Sequence, residues 1–209
     1  MAVQQGARKR QAKETRNRML EGALRLFIAH GYEGTTIEAI AREAGVAIQT
    51  VYFKFGNKQT ILKELVDVRV AGDDEPIPTL ERQWAREAMG AADVSTQLRH
   101  QVEGAREIYA RVGDLLEVLR NAALSNEEIA TLWERNKQQR LEVQQHFIKA
   151  FAEKQPLPSG LTPERAADIS YGLLGPELYN LLVSERGWTP QEWADWVHSG
   201  LCHHLQCDA

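Results

Sequence analysis

The sequence has only two cysteines, Cys202 and Cys207, both close to its end. Two thiols are too few for a disulfide framework, which points to a reducing compartment and so to the cytoplasm. No stretch approaches the roughly 18 consecutive apolar residues of a membrane span. The opening MAVQQGARKRQAK is basic but leads into no apolar segment of signal-peptide type. Neither a membrane partner nor export is expected. Catalytic signatures are missing too: there is no H-E-x-x-H, no glycine-rich phosphate loop, no nucleophile elbow, and no pair of carboxylates recurring on an apolar helix face. Accordingly no catalytic residue and no cofactor are expected. Positive charge is scarce overall, 25 Lys and Arg against 29 Asp and Glu for a net −4, which taken alone argues against a nucleic-acid partner.

The distribution of charge reverses that reading. Through residue 60 there are ten Lys or Arg and five Asp or Glu, a local +5, so the remainder carries −9. The positive end suits DNA and the acidic part must do something else. With 209 residues and 43% hydrophobic content, the chain can bury a sizeable core in one large or two modest helical domains.

The positive end is organised around residues 35–58, TTIEAIAREAGVAIQTVYFKFGNK. Thr35 and Thr36 can each cap a helix, and Glu38, three residues after Thr35, offers a capping box that satisfies orphan backbone N–H groups. Ile37, Ile40, Ala41 and Ala44 then share one helical face. Gly45 follows them where a residue with positive φ is needed to stop the helix and turn the chain. A second short amphipathic segment points Val46, Val51 and Phe55 inward and leaves Gln49, Thr50, Tyr52 and Lys54 outward. Thr, Tyr and Lys can hold phosphate oxygens, and Gln can pair with a base edge. The pattern is that of a helix-turn-helix; a buried helical hairpin in an all-α protein is the alternative.

A longer run of residues resembles the TetR family of transcriptional repressors: Phe27, Gly31-Tyr32, Thr35-Thr36-Ile37, Ile40-Ala41, Ala44-Gly45-Val46, Val51-Tyr52, Phe55 and Lys58. The resemblance covers about the first third of the chain. It implies that Thr36 and Lys58 hold phosphates at the two ends of the unit, that Thr50 and Tyr52 grip the DNA backbone, and that Gln49, Phe53 and Lys54 approach bases. The chain departs from the family pattern at Ala47-Ile48-Gln49 and at Lys54, on the outward face, so the operator sequence cannot be carried over.

Around this hairpin, Met19, Leu20, Ala23, Leu24, Phe27 and Ile28 predict a supporting helix over residues 15–30, and Ile61, Leu62, Leu65, Val66 and Val68 a helix that leads out of the unit. The basic residues 6–13 have no apolar periodicity. They read as a disordered arm, either reaching a minor groove or simply solvated. Glycine, acid and proline concentrate at 72–79 and mark a boundary. The expected organisation is a flexible arm 1–13, a helix-turn-helix DNA-binding domain 14–71, and a helical effector-binding and dimerisation domain 72–209; the fold class is all-α.

In the second domain, Thr79 is expected to start a helix carrying Leu80, Trp84 and Met89. Asp93 should start one that Gly113 ends, Asp114 a short one over 115–123, and a Ser125/Glu128 capping box a long one to about residue 151. The apolar stripe of that long helix is interrupted by Asn136 and Arg140. Either both orient a ligand inside a cavity, with Trp84, Tyr109, Trp133 and Phe147 lining it, or the helix rotates, the polar pair meets water and the aromatics fill a core.

Two final segments, 163–185 with a kink at Gly175-Pro176 and 190–205 behind a Thr189/Glu192 cap, carry more apolar surface than one thin domain covers. They predict a homodimer built as four helices around a two-fold axis. His198 with Cys202, and His203 with Cys207, have i,i+4 spacing that can hold a metal, but the pairs face different directions and no metal is assigned. The function expected is a homodimeric regulator, a repressor bound to a palindromic double-stranded DNA operator and released by an unknown small-molecule effector. A small helical enzyme or carrier with a structural hairpin, and a DNA-binding protein without a ligand, are the competing classes.

Overall fold

Helix α1 occupies Ala2–His30 in the computed structural model, which describes residues 2–207 apart from 74 and 76. It therefore begins well before the helix predicted at 15, and the stretch read as a disordered arm is helical. Ala, Gln, Lys and Arg dominate residues 2–14 and are among the better helix formers, so helix propensity favours extending the helix through them. Met1 and the side chains of residues 2–7 and of Lys9 lie outside the described residues. The buried stripe of α1 is Met19, Leu20, Ala23 and Phe27, whereas Ile28 is exposed, one step round the helix from Phe27.

Helices α2 (Ile37–Ala44), α3 (Ile48–Phe55) and α4 (Lys58–Ala71) follow. A 3₁₀ turn at Thr79–Glu81 replaces the start of the helix expected at Thr79; α5 covers Gln83–Gly90. Arg82 breaks the two apart with an extended backbone, its guanidinium held by the Asp73 carboxylate and the Glu75 carbonyl. Helix α6 runs unbroken over Val94–Ala122, capped by Asp93, whose carboxylate accepts the Thr96 N–H at 2.7 Å. Gly113 does not end it. A Cβ there would lie 2.6 Å from Oδ1 of Asn180, and Asn180 Nδ2 donates to the Gly113 carbonyl at 3.0 Å, so this glycine permits a close approach instead. Helix α7 covers Glu127–Ala152; its N-cap acceptor is Asn126, bonded to the Ile129 N–H, not the expected Ser125.

Helices α8 (Pro163–Leu173) and α9 (Pro176–Tyr179) meet at the anticipated Gly175-Pro176 break, and Asn180–Glu185 continues as a π turn. Helix α10 (Pro190–Leu205) opens with the Thr189/Glu192 capping box, both reciprocal bonds present.

The chain divides into two compact units. The first is Met1–Val68 with Asp114–Trp133, the second Arg69–Gly113 with Glu134–Ala209. The boundary read at 72–79, which includes the undescribed residues 74 and 76, thus falls just past the break. The insertion of 114–133 into the first unit has no counterpart in the sequence reading. Leu115, Leu116, Leu119 and Ile129 of that insertion are buried, as are Ile61, Leu62 and Leu65 of α4 in the same unit. No helix among the described residues is long and apolar enough to cross a membrane.

Candidate nucleic-acid interface

Within the first unit, α1 packs on α2 and α2 on α3. Of the two threonines able to cap α2, Thr36 does so: its hydroxyl accepts the Ala39 N–H at 3.1 Å while its backbone stays extended. Thr35 is buried and donates its hydroxyl to the Gly31 carbonyl at 2.8 Å, so it ties the corner between α1 and α2. The expected Thr35/Glu38 box is not the cap used. Gly45 stands in the left-handed region at φ 64° and returns its N–H to the end of α2.

Helix α3 presents two faces. Val51 and Phe55 are buried, and Gln49, Thr50, Tyr52, Phe53 and Lys54 are all exposed, Phe53 to 93%. Those five, with Thr36, form one accessible set of amide, hydroxyl, aromatic and ammonium groups. A phenyl ring standing in water is an apolar surface with no partner in the chain, as expected of a binding face.

Lys58 is placed differently. Its ammonium donates to the Tyr32 carbonyl at 2.7 Å and the Thr35 carbonyl at 2.9 Å and lies 4.1 Å from the centroid of the Tyr32 ring. Burial holds its pKa below the ordinary lysine value, against the pull of the Glu33 carboxylate. Burial, with Glu33 and Glu128, pushes the Tyr32 phenol up to about 12. Around this corner Phe27 stacks on Tyr32 at 5.7 Å, Arg16 pairs with Glu64, and Gln59 reaches the Glu128 carbonyl. Tyr32 and Thr35 as partners of Lys58 were not foreseen; a backbone carbonyl carries no residue-type signal in a sequence.

The residues expected at an effector site are only partly brought together. Trp133 is the last residue of the first unit and the other five lie in the second. Trp84 and Phe147 pack with Ala85, Ala88, Leu80, Met89 and Val143, their rings 5.9 Å apart, as a core cluster. Tyr109 belongs to another cluster with Tyr179 and Trp193. Its hydroxyl donates to the Leu174 carbonyl at 2.5 Å, and burial pushes its pKa up to about 12. Asn136 and Arg140 do turn inward: the Arg140 side chain is 15% exposed, and it donates to Asn136 Oδ1 at 3.1 Å and to the Tyr171 hydroxyl at 3.1 Å, with Glu177 at 3.5 Å. Tyr171 and Glu177 come from the α8–α9 region and carried no signal that could have linked them to Arg140.

Of the cysteine and histidine positions near the end, His198 and Cys202 are buried, whereas His203 and His204 are exposed. His198 is buried, its ring nitrogens meeting Arg99 and the Ser95 carbonyl, with Cys202 Sγ at 3.7 Å. Among the described residues no three His, Cys, Asp or Glu side chains group as metal ligands.

Two short helices hinged at a glycine, the second with a polar and aromatic outward face, on a supporting first helix, define a helix-turn-helix fold of the kind that docks on DNA. Comparison with known proteins narrows the class. Residues 19–65 match the family model described as bacterial regulatory proteins, tetR family. The uncharacterized HTH-type transcriptional regulator TtgW of Pseudomonas putida is 38% identical over 77 residues, 35% of this chain and 58% of that protein. This match therefore spans less than two thirds of TtgW. The HTH-type transcriptional regulator AcrR of Shigella flexneri is 26% identical over 204 residues, 95% of this chain and 93% of AcrR. The transcriptional regulator FadR from Bacillus subtilis, solved in complex with stearoyl-CoA, superposes with a TM-score of 0.70 at 17% identity, covering 90% of this chain and 98% of FadR. Residues 19–65 thus carry a helix-turn-helix of the tetR type, and over most of its length the chain is similar to a transcriptional regulator.

Proposed function

We propose that the protein is a cytoplasmic, homodimeric repressor that binds a palindromic operator and leaves it when a small molecule occupies the second unit. The observation that carries this reading is the exposed face of α3, where Gln49, Thr50, Tyr52, Phe53 and Lys54 stand in solvent over the buried Val51 and Phe55. Thr36, Thr50 and Tyr52 hold phosphates, while Gln49, Phe53 and Lys54 reach base edges. Phosphate contacts set register and base contacts set sequence preference. Two such faces on a dimer are placed about 34–36 Å apart, or a multiple of that, to meet successive half-sites. Exposed Leu181 and Trp196, from the segments expected at the dimer interface, support the dimer.

The effector is an uncharged or anionic, largely apolar molecule, held where Asn136, Arg140 and Tyr171 converge with the Tyr109 region. That FadR, a protein of the same fold, holds stearoyl-CoA supports a ligand in this fold. Helices α4, α6 and α7 each contribute residues to both units, and they are the covalent route by which effector occupancy reaches α3. Release follows only if the effector prefers the conformation whose two faces are misplaced for DNA, and the operator then weakens the effector by the same factor, typically about 5–150-fold. Fluorescence anisotropy with promoter DNA tests the reading. Binding that falls steeply with salt, exceeds binding to scrambled duplex at least ~1000-fold and is reversed by an effector supports it; equal affinity for any duplex refutes it. Arg140→Ala should abolish the effector response and leave operator affinity unchanged.

A further inference from the structure

The resemblance to TetR repressors assigns Lys58 to a phosphate, but its ammonium is already engaged inside the first unit. Three observations coincide there. Nζ donates to the carbonyls of Tyr32 and Thr35 at 2.7 and 2.9 Å. The Tyr32 ring lies beneath it at 4.1 Å, and the surroundings desolvate it. Thr35, one of the two residues it grips, is itself buried and hydrogen-bonded back to Gly31.

We infer that Lys58 is a positioning residue: it clamps the corner between α1 and α2 to the start of α4, and so fixes the recognition helix α3, instead of ligating DNA. The chain geometry explains how. The gripped carbonyls stand immediately before α2, and Lys58 stands three residues after Phe55, the last residue of α3. One ammonium thus joins the two ends of the α2–α3 hairpin. Carbonyl oxygens at a turn need donors, and a lysine stem can bring a charge to them while its methylenes pack on an aromatic face. With two hydrogens committed to carbonyls and the ring on another side, the charge is spent within the protein, so little counterion release on DNA comes from it.

This inference rests on the DNA-binding reading only for its consequence; the clamp itself is testable without DNA. Reductive methylation of the free wild-type protein, read by peptide mass spectrometry, should label the exposed Lys54 readily and Lys58 slowly. Equal labelling of Lys58 and Lys54 in the free protein, with protection of Lys58 appearing only on adding operator duplex, would overturn the clamp. The Lys58→Met protein gives the second readout. It should lose affinity for operator by roughly tenfold, as expected for lost hydrogen bonds to a charged donor. Its slope of log affinity against log salt should stay unchanged, and its unfolding midpoint should fall by about 4 °C or more. A slope reduced by about one marks a lost phosphate contact and overturns the inference whatever happens to the midpoint. If Lys58→Met does not fold, the labelling of the wild-type protein decides alone. Failure of any operator to bind would refute the proposed function and leave the labelling result standing.

Discussion

Replacing Gly104 by alanine tests whether Trp84 is a fixed part of the second unit's core or a movable wall for an effector. Gly104 is buried in α6, and a Cβ built on it lies 2.4 Å from Cε3 of Trp84, 2.7 Å from Cδ2 and 2.9 Å from Cζ3. Carbon atoms in contact sit about 3.5–4.0 Å apart, so the indole must retreat by roughly 1 Å. The Phe147 ring stands 5.9 Å from it, centroid to centroid, and Ala85 and Ala88 of the same cluster have no exposed surface. Overpacking of this kind costs about 1–3 kcal/mol. Alanine's better helix propensity offsets about 1 kcal/mol of that. The net loss expected is therefore roughly 0–2 kcal/mol, centred near 1. Urea unfolding at one fixed protein concentration measures it, since a dimer's midpoint depends on concentration. Trp84→Phe alone should also destabilise, through the space it leaves. In combination with Gly104→Ala, the smaller ring makes room for the new methyl, and the pair should lose at least ~0.5 kcal/mol less than the sum of the single changes. A Gly104→Ala protein about 1 kcal/mol more stable than the parent, as propensity alone would give, or strict additivity in the double variant, would refute the packing argument and return Trp84 to the effector site.

On the DNA face, Gln49→Ala should cost about 1–3 kcal/mol on the cognate operator and little on other duplexes, by competition binding. Phe53→Ala should weaken operator binding with no loss of thermal stability, because the ring is 93% exposed in the free chain; a falling midpoint would count against that placement. If α8 to α10 form the dimer interface, Trp196→Glu should convert a dimer to a monomer by light scattering, and a wild-type monomer at micromolar concentration would remove the dimer altogether. Tyr32 and Tyr109 are held up at about 12 in the folded chain against 10.0 for an ordinary tyrosine. The unfolded chain then loses those protons first, so stability is intact below pH 10 and falls as pH rises toward 12. Tyr109→Phe should flatten that alkaline fall, measured by unfolding across the range, even though losing the bond to Leu174 lowers stability overall.

The hairpin was legible because everything that shapes it is local. Thr36 and Ala39, the Gly45 turn, and the alternation of buried Val51 and Phe55 with exposed neighbours are all set within a few residues of one another. Lys58 shows where that legibility stops: a lysine at the end of such a motif reads as a free charge, and only folding reveals that carbonyls 26 and 23 residues upstream have taken it. Helix ends downstream of α5 failed for a related reason. A glycine signals a stop unless another chain segment must approach it, and the approach of Asn180 to Gly113 is a tertiary fact. Ser125 and Asn126 both satisfy the chemistry of a cap, so composition could not choose between them. The extra helix at residues 2–14 was missed because apolar periodicity reports burial, whereas a run of Ala, Gln, Lys and Arg without an apolar stripe can be helical on propensity alone.

If the second unit takes an effector as proposed, Arg140 sets which charges it can carry. The arginine is turned away from water, yet its charge is already met: Asn136 and Tyr171 hold its nitrogens, and Glu177 faces it at 3.5 Å. Glu177 is itself 47% exposed, so moving its carboxylate into solvent costs little compared with leaving a buried guanidinium uncompensated. An anionic effector could therefore replace Glu177 beside Arg140 without changing the net charge of the site, whereas a cation would face the arginine directly. An uncharged effector would instead leave the pair intact and compete for the hydroxyl of Tyr171. The proposed site would thus admit the anionic and uncharged classes by different routes and disfavour the cationic one, through the two polar residues that interrupt the apolar stripe of α7.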